Sequence, residues 1–112
     1  KNNVEKIRDL SFAVLSEEEI PEELDARIKE KGKNAFKITY SDKGKLYIAQ
    51  GYGRKETNGY SVEVTDCYET ENAVYICMNL IGPAKEEKVI RTETSPYVVV
   101  KLDAIDKNVV FE

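Results

Sequence analysis

The chain has 112 residues, 41% of them hydrophobic and 34% charged, enough for one domain to bury a core without disulfide or metal staples. Its 17 basic residues are interspersed among 21 acidic ones, giving a formal charge of −4 with no basic stripe, so nucleic acid is not an expected partner. No apolar run approaches the roughly 18 residues of a membrane-spanning helix. The absence of His removes Ser-His-Asp and Cys-His nucleophilic chemistry together with the commonest transition-metal ligand.

Residues 1–10 carry only scattered apolar positions, Val4, Ile7 and Leu10, and read as a lead-in or linker to a single domain at 11–112. The chain begins at Lys1 without Met, which leaves open a trimmed chain or a mature form whose signal or anchor lay upstream. Ser11 to Leu15 is a short apolar run suited to a first or edge strand. Ser16 and Glu19 fit a capping box, and the surrounding acidic cluster suits a helix N-terminus. Because Pro21 cannot sit inside a continuous helix, the pattern predicts one turn at 17–20 and a main helix from Pro21 to about Lys31. Its inward residues are Leu24 and Ile28, and Gly32 provides a left-handed cap.

Strand patterns follow. Phe36, Ile38 and Tyr40 alternate with polar residues, Ser41-Asp42-Lys43-Gly44 has the composition of a type I turn followed by a left-handed Gly, and Leu46 and Ile48 lie on the return. A second hairpin joins Tyr60 to Thr65 with Ala73 to Ile81 through a tight connection at Glu69 to Asn72. After Gly82-Pro83 and a charged loop, Val89 to Thr92 is expected as a short strand. The near-continuous apolar run Tyr97 to Leu102 suits a central strand, and Val109 to Phe111 a closing edge. The predicted fold is α+β, one main helix packed on a curved, mainly antiparallel sheet or partial barrel of about six to seven strands.

Little of this carries chemistry. Cys67 and Cys77 lack CxxC spacing, and a turn near Glu71-Asn72 sets Cys67 opposite Ile76 with Cys77 pointing the other way, which disfavours a disulfide unless a bulge shifts the register. Gly51 and Gly53 precede Glu56 where a dinucleotide fingerprint has its third glycine, and a strand should follow instead of a helix. The carboxylates mostly alternate with apolar positions or crowd a helix start, where solvation and capping account for them. The chain is expected to be neither an enzyme nor a binder of metal or other cofactors. The mixture of aromatics, cations and glycine in residues 51–60 makes Tyr52, Arg54, Thr57, Asn58, Gly59 and Tyr60 candidate partner-binding residues. The same residues would serve as cover for a sheet edge, with Asn58-Gly59 supplying positive φ.

Glu56-Thr57-Asn58-Gly59-Tyr60-Ser61-Val62-Glu63-Val64 resembles the glycine-glycine-tyrosine loop and following strand of the PrcB C-terminal domain family, with Asn58 in place of the first glycine. Ser95 to Lys101 resembles the family's closing strand, and SFAVLSEEE, Gly51-Tyr52-Gly53 and Leu80 to Pro83 are also similar, so the likeness spans about residues 11–112. The resemblance implies a non-catalytic, extracytoplasmic accessory domain, secreted or anchored at a bacterial cell surface, that binds and stabilises a subtilisin-like protease. Two alternatives stand beside it. The threonine-then-glycine-tyrosine loop is also similar to the wedge loop of chagasin-type protease inhibitors, which would make 51–60 an inhibitory loop, and a sheet or helix–sheet cleft could hold a small ligand as an envelope domain. A long apolar strand such as Val98 to Leu102 must be covered on both sides, so a strand edge offers a route to a homodimer.

Overall fold

The computed structural model describes residues 5–112. Its strands are β1 (Arg8–Asp9), β2 (Ala13–Val14), β3 (Ala35–Asp42), β4 (Lys45–Tyr52), β5 (Ser61–Glu69), β6 (Ala73–Ile81), β7 (Tyr97–Asp103) and β8 (Asn108–Phe111). A 3-10 turn at Glu17–Glu19 and helix α1 (Glu22–Lys31) lie between β2 and β3. The strands form two four-stranded sheets, ordered β1-β5-β6-β8 and β2-β7-β4-β3, with β8 parallel to β6 and every other pairing antiparallel.

The expected single sheet or partial barrel of six to seven strands is therefore two sheets, and neither closes into a barrel. The reason lies in β4 and β7, which are apolar on both faces. Leu46, Ile48, Val98, Val100 and Leu102 share one core with Val74, Ile76 and Met78 of the other sheet. Tyr47, Ala49 and Val99, from the same two strands, share a second core with Ile20, Leu24 and Ile28 of the helical segment. A strand with two apolar faces needs a layer on each side, so the molecule stacks sheet, sheet and helix. At about 25 cal/mol per Å², burying each of the Val, Leu, Ile and Met side chains among these contributes roughly 1.5–3 kcal/mol.

The helical segment starts as its sequence dictates. The Glu19 carboxylate accepts hydrogen bonds from the Ser16 N–H at 2.8 Å and the Ser16 hydroxyl at 3.1 Å, which holds its pKa below the ordinary value. That box caps the 3-10 turn, and Pro21 precedes the first residue of α1, where a missing N–H costs no helical bond. Gly32 terminates the helix at φ 59°, and Lys29 reaches back to Asp25 at 2.6 Å.

Between β3 and β4, Lys43 (φ 50°) and Gly44 (φ 78°) alone separate Asp42 from its partner Lys45. Two central residues at positive φ are what a type I′ hairpin requires, so the turn is tighter than the expected type I with a following Gly. The second hairpin turns at Thr70–Asn72, where the Thr70 hydroxyl accepts the Ala73 N–H at 3.1 Å. Cys67 lies opposite Ile76, a bulge falls between Val64 and Asp66, and both cysteines are free. β7 is a central strand, held by β4 along its length and by β2 at Val100 and Lys101, so Val98 to Leu102 is not a sheet edge. At the end of the expected lead-in, Ile7 and Leu10 bond to β5 on either side of β1; Val4 lies outside the described residues.

Candidate functional site

Among the connections that cross between the sheets, two are long loops. Residues 53–60 run from β4 to β5, and residues 82–96 run from β6 back to β7. Because Gly51 pairs with Tyr97 and Ser61 with Ile81, both crossings occur at the same end of the sandwich and lie side by side. The candidate loop is thus one half of a two-loop platform.

The platform has no regular ladder and is stapled by individual hydrogen bonds. Lys55 and Thr94 exchange N–H to carbonyl bonds at 2.8 and 2.9 Å, and the Tyr52 N–H donates to the Pro96 carbonyl at 3.0 Å. The Thr94 hydroxyl donates to the Thr57 carbonyl at 2.7 Å. Asn58 grips Ile90 twice: its N–H donates to the Ile90 carbonyl at 3.2 Å, and its side-chain Oδ1 accepts the Ile90 N–H at 2.9 Å. The Thr92 N–H also bonds to the Ile90 carbonyl, at 2.8 Å, folding the chain back at Arg91. These bonds and the fold at Arg91 are why Val89 to Thr92 is irregular instead of the expected short strand.

Gly59 has φ 95°, and a Cβ there would stand 3.0 Å from Pro83 Cβ and 3.4 Å from Val89 Cγ1, so position 59 is reserved for glycine by conformation and by space. The Tyr60 ring lies against Gly82, and Lys55 Nζ stands 5.9 Å from the centre of that ring. Tyr52 turns its hydroxyl into the interior, where it has no hydrogen-bond partner and burial raises its pKa. Arg54 joins a surface cluster: its Nε lies 3.3 Å from Glu93, which Lys33 also holds at 2.8 Å, and these cations keep the Glu93 carboxyl below its ordinary pKa.

The six candidate residues therefore divide. Thr57, Asn58, Gly59 and Tyr60 meet at the stapled junction with residues 82–96, Arg54 lies in the neighbouring charge cluster, and the Tyr52 hydroxyl is inside. The platform's most exposed large apolar side chain belongs to a residue not among them. Ile90 is 63% exposed and its neighbour Val89 39%, although the Ile90 main chain is fixed on both its polar groups. The available signal was an apolar pair inside a charged loop with no alternation around it.

Two concavities adjoin the platform, and a third lies elsewhere on the molecule. One of about 330 Å³ lies over Asn58, Gly59, Tyr60 and Pro96, and one of about 260 Å³ lies between α1 and Tyr97, with Ile28, Phe36 and Gly51 in its wall. The largest, about 560 Å³, lies along β1, β2 and the end of β7. Among the described residues no group of three His, Cys, Asp or Glu side chains could hold a metal ion. Burial pushes both thiols up to about 11, Cys77 also bonding to Glu112 at 3.0 Å, so neither supplies a thiolate near neutrality. Among the described residues no helix is long and apolar enough to cross a membrane.

Fold and site together define a small α+β module that displays a loop pair joined by hydrogen bonds. The model of the family described as PrcB C-terminal matches residues 46–103, just over half the chain, from β4 to β7 and including both crossing loops. The chain belongs to this family, and membership suggests an accessory domain of a protease complex. No curated protein and no solved structure matches it.

Proposed function

We propose that the domain is a non-catalytic, protein-binding accessory module that docks to and stabilises a subtilisin-like protease outside the cytoplasm, secreted or anchored at the cell surface. The observation that carries this reading is the clamp on Ile90, an exposed branched side chain whose main chain Asn58 holds in place. A contact ordered before binding loses less conformational entropy on association than a mobile one. An apolar side chain displayed on a fixed backbone is the form an interface anchor takes when it enters a partner's pocket.

Affinity capture of the protease from the source organism's envelope and culture supernatant, with the wild type beside Ile90→Asp, tests the reading. Loss of the protease with the variant supports it, and equal capture by both moves the contact elsewhere. An inhibitor reading shares the same observation, now centred on Ile90 with residues 51–60 as its buttress. Activity of the captured protease separates the two, because an accessory subunit preserves activity and an inhibitor suppresses it.

A further inference from the structure

β3 lies at the outer side of its sheet, and all eight of its pairings are to β4. The two-residue turn makes Asp42 and Lys45 a hydrogen-bonded pair, and alternation then directs the main-chain groups of Phe36, Ile38, Tyr40 and Asp42 toward β4. The N–H and C=O groups of Ala35, Lys37, Thr39 and Ser41 consequently point away from the sheet. The same phase, carried across β4 to β7, turns Val99 toward β2, and the Val99 carbonyl does accept the Leu15 N–H at 2.9 Å.

The far edge of the same sheet is the two-residue β2, and the edges of the other sheet are blunted. β5 is broken by its bulge and covered by β1 at Tyr68 and Glu69, and β8 has four residues. β3 has eight residues, with neither proline nor bulge, the kind of edge that templates another strand. Its own sequence is a suitable partner. With a two-fold axis at Ile38, Lys37 meets Thr39 and Ala35 meets Ser41 of the second copy in hydrogen-bonded pairs. Phe36 then meets Tyr40, and Ile38 meets its counterpart, in the pairs whose side chains approach most closely. No like charges stand opposite one another, and the half-buried Phe36 and Tyr40 gain cover.

We propose that two copies of this chain associate by antiparallel pairing of β3 with β3, joining their four-stranded sheets into one continuous sheet across an isologous interface. The claim is independent of the protease reading, and Ile90→Asp should leave it untouched.

Light scattering after size-exclusion chromatography should give twice the 12.7 kDa chain mass at high concentration and a falling mass on dilution. Thr39→Pro removes an outward N–H and no bond to β4, so it should yield a folded monomer with an unchanged circular dichroism spectrum. Should that variant fail to fold, amide exchange of the wild type decides. Lys37, Thr39 and Ser41 should be protected only in concentrated samples, whereas Ile38 and Tyr40 should be protected at every concentration. A wild type that stays monomeric with those outward amides exposed overturns the proposal. So does a dimer that survives Thr39→Pro, or outward amides protected only when a different protein is added.

Discussion

β4 with β7 and the two crossing loops are continuous in the chain, Gly51 and Tyr97 lying at the junction, yet different forces hold them. The paired strands are buried on both faces, with Ile48 and Val100 fully enclosed. The loops have exposed side chains and are held by a handful of polar staples at Lys55–Thr94, Thr57–Thr94 and Asn58–Ile90. Apolar burial is cumulative and tolerant of direction, so the strands carry stability. Hydrogen bonds contribute only about 0.5–1.5 kcal/mol net each but fix geometry, so the loops carry shape. Substitutions on either side should therefore differ in size and in kind.

The largest effect is expected in the two cores. Ile48→Ala, between the sheets, and Leu24→Ala, beneath the helix, should each lower the unfolding free energy by about 2–5 kcal/mol in urea titrations. Comparable losses would confirm two cores of equal weight. A negligible loss for Leu24→Ala would reduce the helix to a peripheral cover.

Next comes Gly59→Ala on the platform. The positive φ and the 3.0 Å approach to Pro83 make any side chain strained there, at about 1–3 kcal/mol. The accompanying sign should be local, with faster amide exchange at Asn58 and Ile90 and little change in β4. A wild-type melt with unaltered exchange would show that the loops tolerate the shift and that the junction is looser than its hydrogen bonds indicate.

These contrasts also explain what was legible in the sequence. The helix was readable because Leu24 and Ile28 recur at its period between Pro21 and Gly32, and the hairpins because alternation and turn residues coincide at Lys43-Gly44 and Thr70 to Asn72. The second sheet was not, because Tyr47, Ala49 and Val99 extend β4 and β7 to a second apolar face, and a run apolar on both sides does not say which layer covers which side. Within the site, Asn58-Gly59-Tyr60 stood out by composition. The partnership of Asn58 with Ile90 joins residues 32 positions apart and depends on both crossings emerging at one end of the sandwich, which no local pattern encodes.

A smaller, conditional effect should appear on acidification. Glu69 is buried at the end of β5 and accepts from Lys107 Nζ and Arg8 Nε, each at 2.7 Å, tying together β1, β5 and the approach to β8. Those bonds, Lys107 first, hold its carboxyl below the ordinary range. A folded-state pKa below the unfolded value of about 4.3 means the stabilisation is complete above that value and lost as pH falls through the folded pKa. Glu69→Gln should flatten this acid limb of a stability–pH curve while Asp103, lowered by Lys45 on the other sheet, keeps its own contribution. An unchanged acid limb would mean the cluster is equally paired in the unfolded chain.

The smallest stability effect belongs to the residue argued to matter most for binding. Ile90 is 63% exposed, and the staples from Asn58 and Thr92 engage only its main chain, which every non-proline residue possesses. Ile90→Asp should consequently leave the unfolding free energy in urea within about 0.5 kcal/mol of wild type and leave Asn58 amide protection in place. Together with loss of protease capture, that outcome would separate display from support, the backbone grip being structural and the side chain free for a partner. A large destabilisation would instead show that Ile90 closes the platform against its own domain, and the exposed anchor would have to be sought elsewhere.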